Sequence, residues 1–154
     1  MFHELEQHLQ TRFPLLKGDW LHRHSDYEDA ICEILTMKSS KCRYWDAEWN
    51  NYYIEFKKGR SIWLDLVRYS EILQGLEENA RKETICLFFI PNKERSCIEE
   101  IICVKTSDLI TEVKLDSPRA ESLMQLKKAL PRSLNAQASL TVNDVRKIKT
   151  FTIR

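Results

Sequence analysis

At 154 residues, with 31% charged and 43% hydrophobic side chains, the chain has the length and balance of one folded domain and not of a disordered segment. A chain of this length buries about two thirds of the surface that its unfolded form exposes, so no disulfide or structural metal is needed. The net charge of +1 lacks the footprint of a strongly basic nucleic-acid binder, although an acidic site would mask local basic surface in that sum.

Phe2, Leu5, Leu9 and Phe13 recur at helical spacing, which predicts a helix over 2–12 ended by Pro14. Residues 15–24 read as a connector, in which His22, Arg23 and His24 are solvated or touch a phosphate backbone. A second helix is expected from Ser25 to about Met37, with Ala30, Ile31, Ile34 and Leu35 as its buried stripe. Residues 41–48 and 52–58, dense in Tyr and Trp, predict a hairpin turning at Asn50-Asn51, residues that tolerate positive φ. After Gly59 a long helix is expected over Ser61–Asn79, with Ile62, Leu66, Tyr69, Leu73 and Leu76 on one side and Trp63 and Tyr69 in the core. Thr84–Ile90 is a continuous apolar run, as in a strand covered on both faces. Pro91–Arg95 reads as a turn, Cys97–Val104 as another strand, and Ser107-Asp108-Leu109 as a helix start. Ser117-Pro118 opens a helix that ends before Pro131, while the last twenty residues fit helix or strand equally. The order predicts an α/β fold, a central mixed β-sheet flanked by helices.

Five cysteines (Cys32, Cys42, Cys86, Cys97, Cys103) form no C-x-x-C pair and are expected to be reduced. The acidic start, Met1-Phe2-His3-Glu4-Leu5-Glu6, does not read as a signal peptide, and no apolar run reaches membrane-spanning length. An intracellular protein, cytoplasmic or nuclear, is expected.

The chemistry concentrates in the hairpin. A loop at Asn50-Asn51 pairs Trp49 with Tyr52 and, counting inward, Glu48 with Tyr53, Ala47 with Ile54 and Asp46 with Glu55. Lys57, two residues beyond Glu55, points to the same face. Opposed carboxylates repel unless a cation lies between them, and Mg²⁺ prefers such oxygen ligands while keeping waters for phosphate chemistry. Lys41, Arg43, Lys58 and Arg60 flank the pair and could hold phosphates; a mixed-charge surface is the plain alternative. Ser25-x-x-Glu28 has the form of a capping box. A second E-x-K, Glu112-Val113-Lys114, has no hairpin Asp opposite it.

Trp45-Asp46 followed by Ile54-Glu55-Phe56-Lys57 resembles the signature of the PD-(D/E)XK nuclease superfamily. The resemblance implies that Asp46 and Glu55 bind metal and that Lys57 serves the attacking water. Tyr27-Glu28-Asp29-Ala30-Ile31-Cys32-Glu33-Ile34-Leu35 is similar to a helix of Holliday-junction resolvases, which would make Glu28 a further metal ligand. Trp45 stands where the family has proline. The likeness covers residues 25–115, a restriction-endonuclease-like core with a C-terminal extension within one nuclease-like domain over 1–154. It implies a Mg²⁺- or Mn²⁺-dependent DNA endonuclease, working as a homodimer where both strands are cut. The rival expectation is an inactive module on the same fold that binds nucleic acid or a protein.

Overall fold

The computed structural model describes residues 2–75 and 82–154. Eight strands and six α-helices follow one another among them. Helix α1 (His3–Arg12) ends at a 3₁₀ turn through Pro14, where the missing amide hydrogen stops the ladder. Helix α2 spans Tyr27–Leu35, shorter than the expected 25–37. Its preceding residue Asp26 takes a left-handed φ of 63° and caps nothing, so the Ser25–Glu28 capping box does not form.

Strands β1 (Lys38–Ser39), β2 (Ala47–Trp49) and β3 (Tyr52–Lys58) form an antiparallel meander. The hairpin register is the expected one: Trp49 faces Tyr52, Glu48 faces Tyr53 and Ala47 faces Ile54, with Asn50 at φ 49°. Residues 41–46, expected as strand, are irregular.

The largest difference follows Gly59. The expected helix over 61–79 begins instead as β4 (Ile62–Asp65), and only Leu66–Gly75 is helix, α3. Ile62 and Leu64 point inward while Trp63 points out, 53% exposed, so it is not the core residue that helical spacing implied. The Asp65 carboxylate accepts the Val67 and Arg68 amides at 3.0 and 3.2 Å, satisfying first-turn donors and setting the start of α3. Leu76–Asn79 lie outside the described residues.

Strand β5 (Glu83–Pro91) runs parallel to β3, and β6 (Ile98–Lys105) pairs antiparallel with β5. Helices α4 (Thr106–Glu112) and α5 (Ser117–Ala129) follow, the second capped by Asp116. The C-terminal segment resolves into β7 (Gln137–Leu140), which pairs with β4, then α6 (Val142–Lys147) and β8 (Phe151–Ile153). The main sheet is mixed and six-stranded, in the order β1-β2-β3-β5-β6-β8. One face buries Ile54, Phe56, Leu87 and Phe89 against Leu5, Leu9, Ile31 and Leu35 of α1 and α2. The other buries Cys86, Phe88, Ile102 and Val104 against Tyr69, Ile72, Ala120 and Val145 of α3, α5 and α6. Helices on both faces explain why β5 reads as an unbroken apolar run. Among the described residues, no helix is long and apolar enough to cross a membrane.

One carboxylate locks the C-terminus onto this sheet. Glu100 of β6, 2% exposed, accepts from Arg146 at 2.6 Å and Thr152 at 2.8 Å, with Arg154 at 3.3 Å. Glu100→Ala is expected to cost about 2 kcal/mol, less than the usual loss from a broken buried pair because both arginines can turn to water. Urea unfolding checks the loss, and faster hydrogen exchange at Thr152 would place it at β8.

Candidate active site at the hairpin edge

Glu55 lies at the middle of β3 on the face that α3 covers, and only 3% of it is exposed. A carboxylate buried this far needs partners. Tyr69, one turn into α3, donates its hydroxyl to Oε2 at 2.7 Å. Arg68 Nη1 approaches Oε1 at 3.3 Å, and Lys57 Nζ reaches the same oxygen at 3.5 Å. Burial first, and the Glu55 charge second, hold the Tyr69 hydroxyl protonated far above the usual range.

Asp46 is near this group but is not its mirror across the hairpin. The β2–β3 ladder stops at Ala47–Ile54. Beyond it, the Asp46 amide still donates to the Ile54 carbonyl, while its carboxylate Oδ2 turns back to accept the Phe56 amide at 2.8 Å. The side chain thus takes the place of a missing backbone acceptor on the edge that β2 leaves, while β5 continues to pair β3 on its other side. Oδ1 is left without a hydrogen bond among the described residues.

The electrostatics at Asp46 are unfavourable to its charge. Burial pushes its pKa up to about 6, against the pull of the Phe56 amide, and the charges of Glu55 and Glu28 add to the rise. Glu28 is half-buried in the first turn of α2. Tyr27 beside it is also raised, by burial and then by Glu28, Asp46 and Glu55 among its neighbours. Three carboxylates therefore share one field around the hairpin edge. Among the described residues, no three His, Cys, Asp or Glu side chains stand close enough together to form a ready metal cage.

Lys57 also donates to the Trp63 carbonyl at 3.0 Å, which ties the E-x-K strand to β4. Arg68 Nε is buried and has no hydrogen-bond partner among the described residues. A buried donor without an acceptor is uncommon in a folded protein. Arg68 and Tyr69 were not singled out as site residues by sequence. The available signal was their place in the first helix after the E-x-K strand, but the expected helix starts five residues earlier, at Ser61.

The flanking cations divide. Lys41 pairs with Asp29 at 3.1 Å and Arg43 with Glu71 at 2.9 Å, so both are engaged in exposed ion pairs away from Glu55. Lys58 donates to the Leu21 and Arg23 carbonyls, each at 2.7 Å, on the opposite face of β3 from Lys57. Arg60 pairs with Glu99 and donates to the Pro91 carbonyl at 3.2 Å. The second E-x-K lies at the end of α4, with Lys114 in a left-handed conformation, and faces no carboxylate pair on a sheet. All five cysteines are unpaired; Cys42 is exposed and Cys97 half-exposed, while Cys32, Cys86 and Cys103 are buried.

Comparison with protein-family models, with curated proteins and with solved structures finds no match to this chain.

Proposed function

We propose that the chain is a Mg²⁺- or Mn²⁺-dependent DNA endonuclease of the PD-(D/E)XK kind, with Asp46, Glu55 and Lys57 as its catalytic residues. The observation that carries this reading is the Asp46 carboxylate. It is folded back onto the E-x-K strand, half-buried, and raised to about 6 by that burial first and by its acidic neighbours after it. The element order supports it: helix α2, the meander β1–β3 with the motif on β3, the crossover through α3, and the parallel strand β5.

The oxygen donors are of the kind a hard divalent cation takes, but no three of them stand together as a ready cage among the described residues. Asp46 would hold the cation, with Glu28 and Glu55 as further oxygen donors, and a positive charge there would relieve the rise at Asp46. The chemistry supplied with Mg²⁺ or Mn²⁺ bound is a lowered pKa of water and polarisation of a phosphoryl oxygen. Lys57 orients the attacking water or meets charge that develops on the phosphate. The unpartnered Arg68 Nε offers a donor for a phosphate oxygen in a place already shielded from water. Cutting both strands of a duplex calls for two copies of so small a domain.

A second reading has its own observation. Glu55 is already neutralised by Lys57 and Arg68 and bonded by Tyr69, as in a purely structural ion cluster. That arrangement suits an inactive module that binds nucleic acid or a protein.

Plasmid cleavage with Mg²⁺ or Mn²⁺ decides between them. Lys57→Ala is expected to slow cutting by about 10²-fold or more, as loss of a positioned charged group does elsewhere. Intact supercoiled, linear, single-stranded and branched DNA after incubation with the parent protein would favour the binding module.

A further inference from the structure

The parallel strands β3 and β5 both run out at the same end of the sheet, at Lys58 and Pro91. Ligands of open α/β sheets gather at the carboxyl ends of such strands. A cleft of about 520 Å³ opens there. Its ionisable lining is Lys58, Arg60, Lys93 and Arg95 with the imidazoles of His22 and His24, and no carboxylate lines it. Among the described residues, Arg60 alone of these has a carboxylate partner, Glu99.

The cleft is mounted firmly. The Lys58 ammonium ties the segment carrying His22 to the end of β3 through the Leu21 and Arg23 carbonyls. The Asn92 side chain closes the β5–β6 turn, accepting the Ser96 amide at 2.8 Å and donating to the Ser96 hydroxyl at 2.7 Å. Arg95 sits in that turn at a left-handed φ of 53°, its amide bonded to the Asn92 carbonyl. The side chains of Lys93 and Arg95 form no ion pair or hydrogen bond among the described residues. Gathering like charges is unfavourable, and Lys58 registers it: burial lowers its pKa first and the Arg95 charge lowers it further. A fold that keeps cations together without acids has a place for an anion.

We propose that this cleft is a phosphate-binding site that seats one phosphate of a polynucleotide strand, with Lys93 and Arg95 as its principal contacts. Four cationic side chains around one cleft offer more donors than a single carboxylate takes, and suit the several oxygens of a phosphate and the charges that repeat along a strand. The phosphate preference stands on the cleft alone, while the polynucleotide rests on the nuclease reading. Lys57 and Lys58 leave the end of β3 on opposite faces, so a strand would meet both the cleft and the Asp46–Glu55 group only by passing around that end. The Tyr27 ring lies 5.0 Å from the Lys58 ammonium and feels the charges of Glu28, Asp46 and Glu55.

The test is binding without chemistry: fluorescence anisotropy of a 3′-labelled 12-nucleotide DNA, single-stranded and duplex, in EDTA over a salt series. Lys93→Gln with Arg95→Gln keeps the turn and removes two charges. It is expected to weaken binding at least tenfold and to flatten the slope of log K against log salt by about 2. The thermal melt should stay at the parent's value. Preference for a 5′-phosphorylated strand over its 5′-hydroxyl twin would support a seated strand end, and equal binding a seated backbone phosphate. Unchanged affinity and slope in the double variant overturn the site, even if the parent cuts DNA. Retention of inorganic phosphate, read by competition and calorimetry, with no binding of DNA would keep the phosphate site and overturn the polynucleotide and the nuclease reading with it.

Discussion

Glu55→Ala is expected to destabilise the fold by about 3–5 kcal/mol, the range for breaking a buried ion pair from one side. Three donors converge on that carboxylate, and each loses its acceptor when it is removed. Tyr69 suffers most, because its hydroxyl is wholly buried and has no route to water. Arg68 would lose the Glu55 contact of Nη1 while its Nε is already without a partner. Lys57 retains the Trp63 carbonyl and can reach solvent, so its share is small. Glu55→Gln separates charge from hydrogen bonding: it keeps an acceptor for Tyr69 and should cost only about 1–3 kcal/mol. Urea unfolding at pH 7 reads both, and a loss of less than 1 kcal/mol on truncation to Ala would show that the cluster does not hold α3 to the sheet. The comparison also bears on function. A carboxylate that anchors a helix is costly to recruit as a metal ligand, so an active enzyme must keep the Tyr69 bond while Arg68 gives way.

What was legible in the sequence was local. The hairpin register followed from alternation and a short Asn-Asn turn, and the strand ladder matches it from Trp49–Tyr52 to Ala47–Ile54 but stops before the counted Asp46–Glu55 pair. The apolar run of β5 was equally plain, since covering on both faces removes alternation. Reading failed where distant partners decide. Ile62, Leu64 and Leu66 suit a strand and, with Tyr69 and Leu73, a helix; β7, far along the chain, makes the first part a strand. The C-terminal segment was ambiguous for the same reason, because α6 and β8 are held by Arg146 and Thr152 on Glu100. At the site, the motif residues were visible, but the shared field was not. A register count placed Asp46 opposite Glu55. It could not show that the side chain bends to replace a backbone acceptor, or that Arg68 and Tyr69 would come down on Glu55 from the crossover helix.

Asp46→Asn is expected to make the protein more stable and inactive at once. The Asp46 pKa rises from 3.8 to about 6 on folding, so the folded state holds this proton where the unfolded state has released it. Stability therefore falls as pH climbs from 4 to 6, and above 6 the whole cost of the buried charge is present. Two pKa units correspond to about 3 kcal/mol, and residual solvent contact at this half-buried side chain lowers the expected gain to about 2 kcal/mol. Asparagine retains an oxygen for the Phe56 amide, so the variant removes the charge and little else. Urea unfolding should show it more stable than the parent at pH 8 and equal to it near pH 3.5. Mg²⁺ supplies the second half of the test. At a concentration about 100 times its Kd, a cation that binds the folded state alone adds about 2.7 kcal/mol. That gain belongs to the parent and should vanish with Asp46→Asn, together with any DNA cleavage. Equal stability of the two proteins at pH 8 would mean that the Asp46 charge is not strained. Equal stabilisation of both by Mg²⁺ would mean that the cation sits elsewhere, and the catalytic assignment of Asp46 would fall with it.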